Sequence, residues 1–165
     1  MANFKELNTN LNLVIQMMLE NKNLCKLLTY DTPDALQKPD LIGYEDYNGL
    51  LYTRIFPYPK DITNRTEANS IILVGLDNFN PIGNTFVSNL LRFRILCHES
   101  LWDMNDNGMG MKLRPYLIMQ EIANLYNNQR VVGIGKLLLA NGGELITNNG
   151  SYSGFHLSYK ITEFS

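Results

Sequence analysis

The sequence predicts an α+β fold: a mostly antiparallel sheet in the order β-β-α-β-β, with an N-terminal helix and a second helix packed on one of its faces. Apolar residues recur at helical spacing in two separate stretches, and at a spacing of two in extended stretches between and after them. The links between extended stretches are turn-like and only one long helix crosses between strand pairs, which favours antiparallel neighbours over the crossovers of a parallel sheet. With 165 residues, 45% hydrophobic and 18% charged, the chain has the size of one domain around one core. Residues 1–165 are therefore read as a single α+β domain, with a helical segment at 1–30 and a linker with a Pro/aromatic arm at 31–69.

The first helix spans about residues 4–21, where Leu7, Leu11, Val14, Ile15, Met18 and Leu19 fall on one stripe. A shorter turn follows at Leu24 to Leu28. "DTPDALQKPD" (31–40) holds two prolines, each of which fixes its own φ and turns the preceding residue away from helix, so it reads as a linker. "GLLYTRIFPYPKDITNRTEANS" (49–70) alternates Pro57 and Pro59 with aromatics and reads as a long, partly irregular arm lying on a surface. Ser70 to Phe79 is a continuous aliphatic run, apolar on both faces, as a central strand is.

"DNFNPIGNTFVSN" (77–89) supplies Asn, Pro and Gly for a loop, yet carries Phe79, Ile82, Phe86 and Val87, which a plain surface loop does not need. From Leu90 to His98 the chain alternates, with Leu91, Phe93, Ile95 and Cys97 on one side and Arg92, Arg94 and His98 on the other. Pro115 opens the second helix, whose stripe is Leu117, Ile118, Ile122 and Leu125 and whose end is marked by Asn127 and Asn128. "VVGIGKLLLANGGELI" then reads as two short strands around an Asn-Gly-Gly turn. A last strand puts Phe155, Leu157, Tyr159 and Ile161 on one face.

Composition excludes several classes of function. The net charge of −2 and a pI near 5.6 provide no electrostatic reason for a nucleic-acid or acidic-membrane partner. No apolar run approaches the roughly 18 residues needed to span a bilayer, and the N-terminus has no secretion-signal pattern. Two cysteines, Cys25 and Cys97, make no disulfide framework and fit a reducing compartment. Asn makes up about one residue in eight, which marks loops and turns more than chemistry.

The stretch "LRFRILCHESLWDMNDNG" (91–108) gathers Cys97, His98, Glu99 and Ser100 and looks catalytic at first sight. Neighbours in a strand point to opposite faces, however, so Cys97 goes inward as a small hydrophobe while His98 points away from it. His156 has the same outward parity, and meets His98 only if the two strands pair in suitable register. Asp103, Asn105, Asn107 and Gly108 match the first half of a calcium-binding EF-hand loop, but the twelfth position, which must hold a bidentate Glu, is Arg114. "GIGK" (133–136) lacks the spacer and the Ser/Thr of a phosphate loop and reads as a bend. The expectation is no catalytic residue, no metal ligand and no cofactor; the chain works by contact. The apolar residues left in irregular segments, Phe56, Tyr58, Phe79, Pro81 and Phe86, are the candidates for burial by a partner.

The combination "RIFPYPKDITNRTEANSIILVGLDNF", "LLRFRILCHESLW" and "GMKLRPYLIMQEIANLYNNQRVVGIGKLLL" resembles a group of small virion proteins of tailed bacteriophages, the neck and tail-completion proteins, tail terminators among them. The resemblance covers about residues 50–165. It rests on the Pro-aromatic arm, the "NF" loop after a strand, the strand ending in "CH" before Trp102, and "LRPY" opening a helix. It implies an α+β domain and a structural virion protein, assembled in the host cytoplasm, that closes with copies of itself into a ring, commonly a hexamer. Such a ring ends the tail tube, joins it to the head, and touches neighbouring neck, tail-tube or connector proteins. In it, Phe56, Tyr58, Phe79, Pro81 and Phe86 become the subunit-interface candidates. Alternatives are a head-closure or connector ring of the same virion, a small enzyme using His98 and His156, and a host-directed binding protein.

Overall fold

The computed structural model describes residues 4–83, 85–105, 108, 110–148 and 150–162, with the side chains of 82 and 85–87 outside the description. Helix α1 (Phe4–Glu20) buries the stripe Leu7, Val14, Ile15, Met18 and Leu19. Asn21 ends it and caps α2 (Lys22–Thr29), its side chain accepting the Leu24 N–H at 2.9 Å, an orphan donor that every helix start must satisfy. The segment at 31–42 is no free linker: Ala35, in a one-turn helix at Ala35–Gln37, is fully buried. The short α3 (Gly43–Asn48), which the sequence pattern does not announce, comes before the arm.

Six strands form one sheet that curls into a half-barrel: β1 (Ile55–Phe56), β2 (Ser70–Ile82), β3 (Thr85–His98), β4 (Arg130–Val131), β5 (Gly135–Ile146) and β6 (Tyr152–Thr162). Their order is β1-β2-β3-β6-β5-β4, antiparallel throughout except for the parallel β1–β2 pair. This is the α+β class the pattern predicts, with α4 (Arg114–Tyr126) crossing between β3 and β4. Alternation decides the two faces. Ile72 and Val74 of β2, Leu91, Phe93, Ile95 and Cys97 of β3, and Leu157, Tyr159 and Ile161 of β6 all face the helices and form the main core with them. Phe93 is its aromatic centre, stacked on Tyr126 at 5.0 Å and edge-on to Tyr159 at 5.9 Å. The Tyr126 hydroxyl donates to the Val14 carbonyl at 2.6 Å and so ties α4 to α1.

The run from Ser70 is apolar on both faces because a second, smaller core lies on the far side of the sheet. There Ile71, Leu73, Leu96 and Tyr152 meet Phe56 and Ile62 of the arm. The arm lies on a surface, as its sequence suggests, and that surface is its own sheet; Phe56, a candidate for subunit contact, is covered by its own chain. Arg65 fixes it, donating to the Asn69 side chain at 2.8 Å and to the Tyr152 hydroxyl at 3.2 Å. The Tyr152 hydroxyl in turn donates to the Glu67 carbonyl.

Two further expectations are corrected. Residues 77–89 are not a loop: β2 and β3 run on as a paired ribbon to Ile82 and Thr85, with Gly83 at φ 60° beside the turn. The Ser88 hydroxyl donates to the Asp77 carbonyl at 2.7 Å and Asn78 Nδ2 donates to Asn89 Oδ1 at 2.6 Å, so the polar residues that read as loop are cross-strand partners. Nor is Asn141-Gly142-Gly143 a turn. It lies inside β5, after a bulge between Leu139 and Asn141. A Cβ on Gly142 would stand 2.9 Å from the His156 carbonyl oxygen and one on Gly143 3.0 Å from its ring, so these glycines serve close packing of β6.

Candidate functional site

The histidine question is decided by register. Arg94 pairs with His156 and His98 pairs with Tyr152, so the two imidazoles lie four residues apart along the sheet, about 13 Å at strand rise. His98 caps the one-turn helix Glu99–Leu101: its Nδ1 accepts the Ser100 N–H at 3.3 Å and lies 2.7 Å from the Ser100 hydroxyl. Cys97 is fully buried on the opposite face. Burial pushes its thiol up to about 11, and that of Cys25, equally buried, up to about 12. Neither supplies a thiolate near neutral pH. In the folded protein both thiols are expected to react with a disulfide reagent at pH 8 at least about 100-fold more slowly than in denaturant. Rapid labelling of either thiol in the folded chain would contradict this burial.

The Asp103 run is a turn. Asp103 Oδ1 accepts the Asn105 N–H at 2.8 Å, Asn105 donates from its side chain to the Gly110 carbonyl, and Asn107 lies outside the described residues. Arg114, where the metal-closing Glu would stand, is 1% exposed and does something the pattern did not foretell. Its Nε donates to the Leu101 carbonyl at 3.1 Å, Nη1 to Leu27 at 2.7 Å and Tyr30 at 3.0 Å, and Nη2 to Thr32 at 2.9 Å. One guanidinium thus joins the end of α2, the segment after it and the turn after β3. Among the described residues no group of three or more His, Cys, Asp or Glu could hold a metal ion, and no helix is long and apolar enough to cross a membrane.

The contact candidates separate into those covered by their own chain and those left open. Phe56 is 2% exposed, with Lys60 Nζ 5.0 Å from its ring centre, so the arm uses it internally and it leaves the set of exposed candidates. Tyr58 is 42% exposed, stacked on Tyr52 at 6.4 Å and edge-on to Phe56 at 5.8 Å. Phe79 is 46% exposed, touched edge-on at 6.1 Å by Phe4, itself exposed; Pro81 is exposed too. The Phe86 side chain lies outside the described residues, although its backbone pairs with Pro81.

Tyr58 and Phe79 border one open groove of about 480 Å³, with Phe4, Leu7 and Leu11 of α1 on one side and Leu76 of β2 on its floor. Arg92 and Arg94 reach it from the far face of the sheet, Arg92 held by Asp77 at 2.8 Å. The groove runs along the free side of β2, because β1 pairs only with Ile72 and Leu73. Beyond it the β2–β3 ribbon continues past Leu90, the last β3 residue paired with β6. The ribbon and the groove at its base thus leave apolar side chains, Phe79 and Tyr58 among them, open to solvent.

A protein-family profile described as YomW matches residues 21–161, from the start of α2 to the penultimate residue of β6. The description is a gene-product name of SPBc2-like Bacillus phages and points to a phage-encoded protein. No curated protein and no solved structure matches the chain.

Proposed function

The chain belongs to the YomW family, and from that premise we propose that it is a structural virion protein of a tailed bacteriophage, forming a ring in the neck that ends the tail tube and joins it to the head. The observation that carries this reading is the β2–β3 ribbon. It projects past the paired part of the sheet with Phe79 and Pro81 exposed and an apolar groove at its base. A lone soluble domain has little use for such a surface, and burial against another subunit removes its apolar area from water at about 25 cal/mol per Å². A head-to-tail contact whose rotation closes limits its own growth, which is what a terminator requires. The chain runs no reaction in this reading. Its partners are its own copies and the neighbouring neck, tail-tube or connector proteins, and its place is the virion, reached by assembly in the host cytoplasm.

The test replaces Tyr58 and Phe79 together by Ser. Both side chains are more than two-fifths exposed, so the variant is expected to keep its fold and to lose assembly. Ring formation unchanged from the parent chain would refute the assignment of this surface. Antibody labelling of virions then separates a terminator from a head-closure ring by the level at which the label sits. Absence of label from virions, together with capture of a host protein by a monomer, would replace both with a host-directed binder.

A further inference from the structure

The two long outer strands of the sheet, β2 and β5, are each capped at one end only. Among the described residues, β1 pairs with Ile72 and Leu73 and no strand pairs with the outer side of 74–82, while β4 pairs with Gly135 and Lys136 at the opposite flank. Past β4, the Leu139 N–H is taken by Asn127 Oδ1 at 3.1 Å, and from there β5 is open to Ile146. Exposed strand sides of this length are ordinarily protected by lysines, prolines or covering loops, because they recruit other strands. Here the protection is thin. Residues 74–82 carry one proline, Pro81 at the hairpin end, and one charged side chain, Asp77, already paired with Arg92, and residues 138–146 carry one charged side chain, Glu144. Leu138, Leu139 and Ile146 are exposed along β5, and the apolar groove lies along β2.

We infer that the open side of β5 in one copy pairs with the open side of β2 in the next, so that the sheet continues from subunit to subunit. The occupant of the groove is thus a second copy of this chain, which deepens the ring reading proposed above and rests on it. Strand direction is compatible: β2, β3, β6 and β5 alternate, and a neighbour's β2 placed beside β5 continues the alternation as an antiparallel pair. Main-chain hydrogen bonds provide the affinity, and the leucines of β5 entering the groove between β2 and α1 provide the fit. The contact joins two different surfaces, so repeating it turns every added copy by the same angle, and the assembly closes into a ring where that angle divides a full turn.

The experiment uses two full-length variants, Leu76→Lys on β2 and Leu139→Lys on β5, each with a charge placed on one edge and the other edge intact. Leu76 is half-buried and Leu139 is 49% exposed, so a lysine stem covers what the leucine covered; circular dichroism and the melting temperature verify the fold. Each variant alone is expected to be monomeric under conditions where the parent chain assembles. An equimolar mixture is expected to form a one-to-one dimer through the two intact edges. Assembly of either variant like the parent, dimers of Leu139→Lys alone, or a mixture that stays monomeric would each overturn the edge pairing while leaving a ring by another surface standing. A parent chain that never assembles would overturn the ring reading and the edge pairing together.

Discussion

Replacing Gly154 by Ala is expected to lower stability by about 3 kcal/mol, read as a fall of about 6–12 °C in melting temperature for a domain of this size. A Cβ at this position would lie 1.8 Å from the Ile95 carbonyl oxygen and 2.9 Å from its carbon. Both are backbone atoms in the middle of β3, where no rotamer change relieves the clash. β3 and β6 would have to part at the Leu96–Gly154 pair, next to Phe93 and Ile95 in the core. The site has nothing to do with the groove, so a stable Gly154→Ala chain would mean that the β3–β6 packing described above is wrong. Gly75→Ala is the matched control. It also sits in a long strand, β2, but an added Cβ meets nothing within 4 Å, and its melting temperature is expected to stay close to the parent's.

Replacing Arg114 by Met is expected to cost about 3–5 kcal/mol, because it keeps the bulk of the side chain and removes every donor. Four backbone carbonyls, of Leu27, Tyr30, Thr32 and Leu101, would lose their guanidinium partner inside the protein. Burial lowers the Arg114 pKa from its ordinary value, opposed by Cys97 and the nearby Asp31 carboxylate. The charge is thus held at a desolvation cost that its hydrogen bonds and the nearby Asp31 carboxylate offset. Arg114→Lys separates charge from geometry: one ammonium cannot reach carbonyls arranged around a planar fork, and it should recover less than half of the loss. Full recovery by Lys would show that charge alone matters there.

These two residues also show where a linear reading stops. Arg114 was legible only as the wrong residue for closing a calcium loop, since three of its four carbonyl partners, Leu27, Tyr30 and Thr32, lie more than 80 positions away. Gly154 is one glycine among twelve until β3 is known to press on it. What local periodicity encodes came through: α1, α4, the buried set Leu91, Phe93, Ile95 and Cys97, and the inward face of β6 are all where alternation and helical spacing put them. Pairing register is not a local property, so the separation of His98 from His156 could be posed as a condition but not decided.

The misread segments share one cause. Asn, Pro and Gly at 77–89 and 141–143 look like turns to a rule based on backbone preference, yet a partner strand overrides that preference. The Asn78–Asn89 side-chain bond and the His156 ring against Gly143 are such partners. The available signal for the ribbon was "GN" at 83–84, because Gly-Asn between strand-like runs is a hairpin sequence. Of the surface candidates, Tyr58, Phe79 and Pro81 are exposed and Tyr58 and Phe79 share the groove, whereas Phe56 is buried, because apolar residues in an irregular arm can serve their own sheet as well as a neighbour.

The central claim is that the open groove and ribbon exist to be covered by further copies of the chain. Light scattering on the purified full-length protein over a wide concentration range tests it most directly. The account predicts a discrete, closed multiple of the 18.9 kDa chain that stops growing once formed. A mass of 18.9 kDa at every concentration would contradict it.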